Sequence, residues 1–139
     1  MILFDTDTLT HFSYGNANVR RKLDELGDEQ LAISIITRNE ILRGRAENLL
    51  KAANEEELRK AAERFHQTEE LLSVFVVVGF DEKAIEYFGK LRKQKNLRKM
   101  GRADLLIACI CLANNALLVT RNTKDYEDVR GLRVENWVD

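Results

Sequence analysis

Three observations predict an α/β fold, a central and mostly parallel sheet of about five strands flanked by helices. Short apolar runs alternate with longer helical stretches, from Ile2-Leu3-Phe4 at the start to Leu132-Arg133-Val134-Glu135 near the end. Strands separated by helices imply right-handed crossovers and helices on both faces. The chain has no Pro and only seven Gly, so nothing marks a linker or a second domain. Finally, carboxylates stand beside the apolar runs: Asp5 after Ile2-Leu3-Phe4, Glu40 after Leu31 to Ile36, and Asp125 after Leu117-Leu118-Val119-Thr120. Asp104 stands at the head of an apolar helix. Strand carboxyl ends in such sheets line one crevice, where ligands bind.

Taken in order, strands are expected near 2–5, 31–35, 74–79, 117–120 and 132–135, each short and apolar. Helices are expected near 7–13, 17–26, 37–51, 54–72, 81–95, 102–115 and 123–128. The first follows Asp5 and Asp7, either of which can cap it. The third and fourth form a helical hairpin joined near Asn54, and Asp81 opens the fifth after Gly79-Phe80. The stretch Leu105 to Ala113 is apolar all round and should be buried. The last lies in the turn-rich segment Arg121-Asn122-Thr123-Lys124-Asp125.

The 139 residues fit one domain, residues 1–139, with room for one core. With 45% apolar and 32% charged residues, the composition is that of a soluble globular protein. The start MILFDTDTLTHF places acids where a signal peptide continues its apolar region. Leu105 to Ala113 is the longest apolar stretch and is too short to span a bilayer, so no membrane association is expected. Cys109 and Cys111 stand two apart on one helix and point to different sides. That spacing disfavours a mutual disulfide and fits a reducing cytoplasm. His11 and His66 are too few and too isolated for a zinc site.

Net charge is −1, which does not by itself advertise nucleic-acid binding. The charges are unevenly placed, however. Residues 93–102 (KQKNLRKMGR) hold five cations and no acid, directly before Asp104. That run reads either as a solvated surface or as a contact for the phosphates of a polyanion. Residues 55–70 mix six Glu with Arg59, Lys60 and Arg64, and read as a solvated face.

Each acid has a structural reading beside a chemical one. Asp5 can cap the next helix, yet an uncompensated charge at the end of a buried strand is costly. Asp7 suits a cap or a supporting position. Thr37-Arg38-Asn39-Glu40 matches a capping box, in which Glu40 would reach back to the cap residue's N–H. Asp104 suits the first turn of a helix through the macrodipole, but it is also the only charge between Ala103 and Ala113. Asn122 and Asp125 are ordinary turn residues that could equally support a metal or its water. Clustered oxygen ligands without His or Cys suit a hard cation such as Mg²⁺. An acid-only cluster therefore points to metal-assisted phosphodiester chemistry.

The same segments resemble the motifs of PIN-domain proteins. Phe4-Asp5-Thr6-Asp7-Thr8 resembles their opening motif, and Asn39-Glu40-Ile41-Leu42-Arg43-Gly44 resembles the second. Arg102-Ala103-Asp104-Leu105-Leu106-Ile107-Ala108 resembles the third and most specific. Val119-Thr120-Arg121-Asn122-Thr123-Lys124-Asp125-Tyr126 resembles the fourth, and Gly131-Leu132-Arg133-Val134-Glu135-Asn136-Trp137 the usual chain end. The likeness covers essentially the whole chain, in order, at the length of VapC-type toxins. It implies a single PIN-like nuclease domain with a Mg²⁺- or Mn²⁺-dependent endoribonuclease activity. Such a protein would be the toxin of a type II toxin–antitoxin pair, acting in the cytoplasm. The implied partners are an RNA substrate, a VapB-like antitoxin, and a second copy in a homodimer or toxin–antitoxin hetero-oligomer.

Carried over by position, Asp5, Glu40 and Asp104 match the three core acids as catalytic residues and metal ligands. Many relatives have a fourth acid where this chain has Asn122, whose neutral oxygen would hold a second metal less firmly. Asp125 and Asp7 are the candidates to support a metal or its water. Arg98, Lys99, Arg102 and Arg121 are the candidate phosphate contacts. One rival reading is a non-catalytic RNA- or protein-binding module on the same fold, which three intact acids argue against. Another is a phosphoacceptor domain, but that needs paired acids after the first strand, and Asp5 and Asp7 are not adjacent.

Overall fold

A computed structural model describes residues 1–139. Its strands are β1 (Ile2–Phe4), β2 (Leu31–Ser34), β3 (Val76–Val78), β4 (Leu117–Val119) and β5 (Arg133–Glu135). Its helices are α1 (Thr6–Ser13), α2 (Ala17–Leu26), α3 (Ile35–Lys51), α4 (Glu55–Leu72), α5 (Glu82–Leu91) and α6 (Arg102–Asn114). Short 3-10 turns cover Lys95–Leu97 and Thr123–Tyr126. The strands make one sheet in the order β3-β2-β1-β4-β5, and every pairing is parallel.

Sheet register explains the two cores. Ile2 pairs with Leu31 and Leu117, and Phe4 pairs with Ile33 and Val119. Side chains alternate between faces along a strand. Leu3, Ala32 and Leu118 therefore join one apolar cluster, with the buried side of α6. Ile2, Phe4, Ile33 and Val119 join the other, with Leu9, Val19, Phe75 and Trp137. A parallel sheet covered on both faces needs continuous apolar strands rather than alternating ones. That is why all three residues of β1 are buried.

The expected apolar helix is α6, which buries Leu105, Ile107, Ala108, Cys109, Ile110 and Cys111. It ends at Asn115, whose positive φ of 49° is the left-handed conformation that closes many helices. The helix expected over 81–95 is shorter. It stops at Leu91, and a turn carries the chain into Lys95–Leu97 so that Leu97 reaches the core. The last expected helix is only a 3-10 turn, Thr123–Tyr126, ending on the buried ring of Tyr126.

Both cysteines are free and buried. Burial pushes the Cys109 thiol up to about 11 and the Cys111 thiol up to about 12. Native protein should react negligibly with a thiol reagent at neutral pH, and unfolded protein rapidly. A raised thiol pKa adds stability below the unfolded value of 9.0, and that contribution should fade as pH rises towards 11 and 12. Titration with Ellman's reagent, native against denatured, checks the first expectation; denaturation midpoints above pH 9.0 check the second.

Candidate active site

Because β1, β2 and β4 run parallel, their carboxyl ends open on the same edge of the sheet. Asp5 is the first residue beyond β1, its N–H donating to the Val119 carbonyl of β4 at 3.2 Å. Its Oδ1 accepts from the Thr8 N–H at 2.8 Å, which caps α1. Oδ2 takes no hydrogen bond from the protein. One carboxylate thus has an oxygen for the fold and an oxygen to spare. The two roles do not compete.

Glu40 corrects the capping-box expectation. Helix α3 starts at Ile35, immediately after β2, and Ser34 is its cap, accepting from the Thr37 N–H at 3.1 Å. Ser34 belongs to a buried strand, where a cap is hard to recognise in sequence. Glu40 therefore sits in the second turn, and its Oε2 accepts from the Thr6 hydroxyl at 3.1 Å. Thr6 follows Asp5 directly. Glu40 is thus tied to the chain emerging from β1 and is exposed.

Asp104, half-buried in the first turn of α6, accepts on Oδ1 from the Tyr126 hydroxyl at 3.1 Å. The cap position of α6 is Gly101, which has no side chain to satisfy the free N–H groups, so the carboxylate is favourably placed near them. The Tyr126 hydroxyl is pushed well above its ordinary pKa, by burial first, then by the charge and hydrogen bond of Asp104, then by the charge of Asp5. Both acids therefore act on one buried phenol. Asp104 also lines a cleft of about 320 Å³ with Asp125, Asp128, Lys99 and Lys124.

The remaining candidates divide by position. Asn122 and Asp7 line a different cavity, with Arg121 and Asp139. The guanidinium of Arg121 is held by both Asp139 oxygens, at 3.2 and 3.3 Å, and lies 3.7 Å from Asp7. Its charge already answers acids, so it does not stand free for a phosphate. Arg102 lies over the Phe88 ring, 5.2 Å from its centre. Of the four expected phosphate contacts, Lys99 alone lines the Asp104 cleft; Arg98 is exposed outside it. Sequence reasoning missed Tyr126, which stands 22 residues from Asp104 with no local pattern joining them. It also passed over Lys124 as a member of the cleft.

The donor chemistry is oxygen throughout, as a hard cation requires. No three His, Cys, Asp or Glu side chains stand close enough to enclose a metal. The arrangement is thus no closed cage. It fits Mg²⁺ or Mn²⁺ carrying much of its own water, since Mg²⁺ usually takes only one or two carboxylates from a protein.

The chain matches the family model of the PIN domain over residues 2–132. It is 34% identical to Ribonuclease VapC1 of Methanocaldococcus jannaschii, over 96% of this chain and 85% of that protein. It is 28% identical to the tRNA(fMet)-specific endonuclease VapC of Shigella flexneri, over 99% of each. Among solved structures it is similar to VapBC2 of Rickettsia felis, crystallised bound to a DNA fragment from its promoter. That likeness has a TM-score of 0.72 and 28% identity over 99% of both chains.

Proposed function

The chain belongs to the PIN-domain family, and from that premise we propose that it is a metal-dependent endoribonuclease, the toxin of a toxin–antitoxin pair. The observation that carries this reading is the placing of Asp5 directly after β1, and of Asp104 bonded to the Tyr126 hydroxyl after β4, at the carboxyl edge of a parallel sheet. Names of the relatives agree with it: ribonuclease and endonuclease.

Asp5 and Asp104 would hold Mg²⁺ or Mn²⁺, with Glu40 joining through its water. When bound, the cation supplies charge neutralisation at the phosphate and an acidified water. The protein's own contribution is positional. Thr6 fixes Glu40, and the Thr8 N–H fixes Asp5 with one oxygen left over. Tyr126 fixes the rotamer of Asp104. Lys99 and Lys124 place positive charge beside the acids, where a phosphate would approach. The substrate class is RNA with an accessible single-stranded loop, where bases can be splayed and read.

The proposed partner is a small antitoxin that lays a basic side chain among Asp5, Glu40 and Asp104 in place of metal. Apolar surface for it exists on the α3–α4 hairpin, where Leu50 is 87% exposed and Leu58 50%. Self-association, or a hetero-oligomer with the antitoxin, belongs to the same reading. No helix of the chain is long and apolar enough to cross a membrane. A cytoplasmic site of action is proposed accordingly.

Purified protein should cut RNA with Mg²⁺ or Mn²⁺ and stop when EDTA is added. Its expression should arrest growth, and co-expression with the adjacent upstream frame should relieve the arrest. RNA binding without metal-dependent cutting would leave only a binding module. Glu40→Gln gives a finer test, because Gln can still accept from Thr6. We expect loss of cutting, roughly tenfold or more, with the melting temperature nearly unchanged. Full activity in Glu40→Gln would remove Glu40 from the site.

A further inference from the structure

A cationic cavity lies apart from the acids. Arg45 of α3 and Arg64 of α4 line one cavity of about 280 Å³, together with Ser13 and Tyr14 at the end of α1. No acid lines it, and neither arginine takes part in any ion pair of the protein. Arg45 is half-buried and held in place, its Nε donating to the Thr68 hydroxyl at 2.9 Å. Burial first, and then the neighbouring charge of Arg64, lower its pKa. Two guanidinium groups facing one cavity without a counter-charge repel each other, and an anion between them removes that repulsion. Arginine presents forked donors that match phosphate oxygens.

Position and company identify the anion. Helices α1 and α3 leave the acid site side by side, joined there by Thr6 and Glu40, and reach the cavity at Tyr14 and Arg45. From Glu40 to Arg45 the rise is about 7.5 Å along the helix axis. Those five residues also turn the helix by about 140°, so a strand that passes from the acids around α3 meets the arginines with a further phosphate. Tyr14 stands beside them, 76% exposed, in the manner of an aromatic on which a base can stack. A nucleic acid strand supplies both a phosphate for the arginines and a base for the ring, which an inorganic anion does not.

We infer that the Arg45–Arg64 cavity is a phosphate subsite for single-stranded RNA, gripping the backbone beside the cut site while Tyr14 stacks on the adjoining base. The inference rests on the ribonuclease reading for the identity of the strand and extends it to a surface no motif marks.

The test measures binding of a labelled mixed-sequence oligoribonucleotide, in an Asp104→Asn background so that nothing is cut, across a range of salt. Arg64→Gln should weaken binding about tenfold at low salt. It should also flatten the slope of log affinity against log salt by about 0.7, the value for one lost phosphate contact on a single strand. Arg45→Gln should do the same. If loss of the Thr68 bond unfolds that variant, the exposed Arg64 still decides the matter. Tyr14→Ala should weaken binding by a similar factor with the slope unchanged. Arg59→Gln, on the same helix but paired with Glu56, should change neither.

Unaltered affinity and slope in Arg64→Gln, with metal-dependent cutting by the parent protein, would overturn the subsite and leave the nuclease reading standing. Arginine-dependent binding of a strand that the parent never cuts would support the subsite and sink the nuclease reading. Inorganic phosphate perturbing the arginine side-chain NMR signals while RNA affinity ignores both substitutions would overturn it. So would poly-glutamate binding at these arginines more tightly than RNA, the result expected of a protein-docking surface.

Discussion

Asp104→Asn is expected to abolish RNA cleavage and to leave the fold nearly as stable as before. Asn keeps the shape of the side chain and can still accept from the Tyr126 hydroxyl, so the local packing survives. What goes is the charge. Outer partners of metal ligands cost about 10–100-fold when changed, and a ligand itself should cost at least that. Asp5→Asn should behave alike, since Asn caps a helix about as well as Asp and its Oδ1 can still accept from the Thr8 N–H. Single-turnover cleavage at saturating Mg²⁺, set beside thermal melting, separates the two effects. A wild-type rate in either variant would falsify the assignment of that acid.

Phe4→Ala should be the most damaging change to the fold, at about 3–5 kcal/mol. The ring is fully buried in the central strand and meets Phe75, Trp137 and Phe12 at centre distances of 5.7, 5.8 and 5.9 Å. Truncation leaves a cavity among three aromatics already packed edge-on or tilted against it, and these cannot all close in together. Leu50→Ala, by contrast, touches a residue 87% exposed and should change stability by less than about 0.5 kcal/mol. Urea denaturation of the two variants gives the comparison directly. A cost below about 1 kcal/mol for Phe4→Ala would mean that the second core does not pack as described.

The strands were readable in advance because a sheet covered on both faces writes itself as short apolar runs, and β1, β2, β4 and β5 each lie within a residue of the expected span. Helix ends were less readable. The segment after Leu91 keeps a helical pattern of charges, yet the need to bury Leu97 turns the chain. Thr37-Arg38-Asn39-Glu40 satisfied the spacing of a capping box, but that rule cannot see a helix starting directly off a buried strand at Ser34. The convergence of Asp5 and Asp104 on one side followed from topology alone. Their fine placement did not. The link from Tyr126 to Asp104 and the clasp of Asp139 on Arg121 join residues 22 and 18 apart, and the facing of Arg45 and Arg64 joins two helices of a hairpin. Such pairings depend on tertiary geometry, which no local spacing encodes.

The place of β1 in the sheet also sets a schedule. Of the two neighbours of Ile2–Phe4, one is Leu117–Val119, with Ile2 paired to Leu117 at a separation of 115 residues. Pairings of that separation carry a large loop-closure cost and make folding slow. On a ribosome, the central strand must wait until β4 has emerged before its second edge is filled. Tyr126, which follows β4 and bonds Asp104, takes its place only then. Chains truncated before β4 lack both the second neighbour of β1 and the Tyr126 hydroxyl that holds Asp104. Until that pairing is complete, β1 presents an open edge that any other protein can reach.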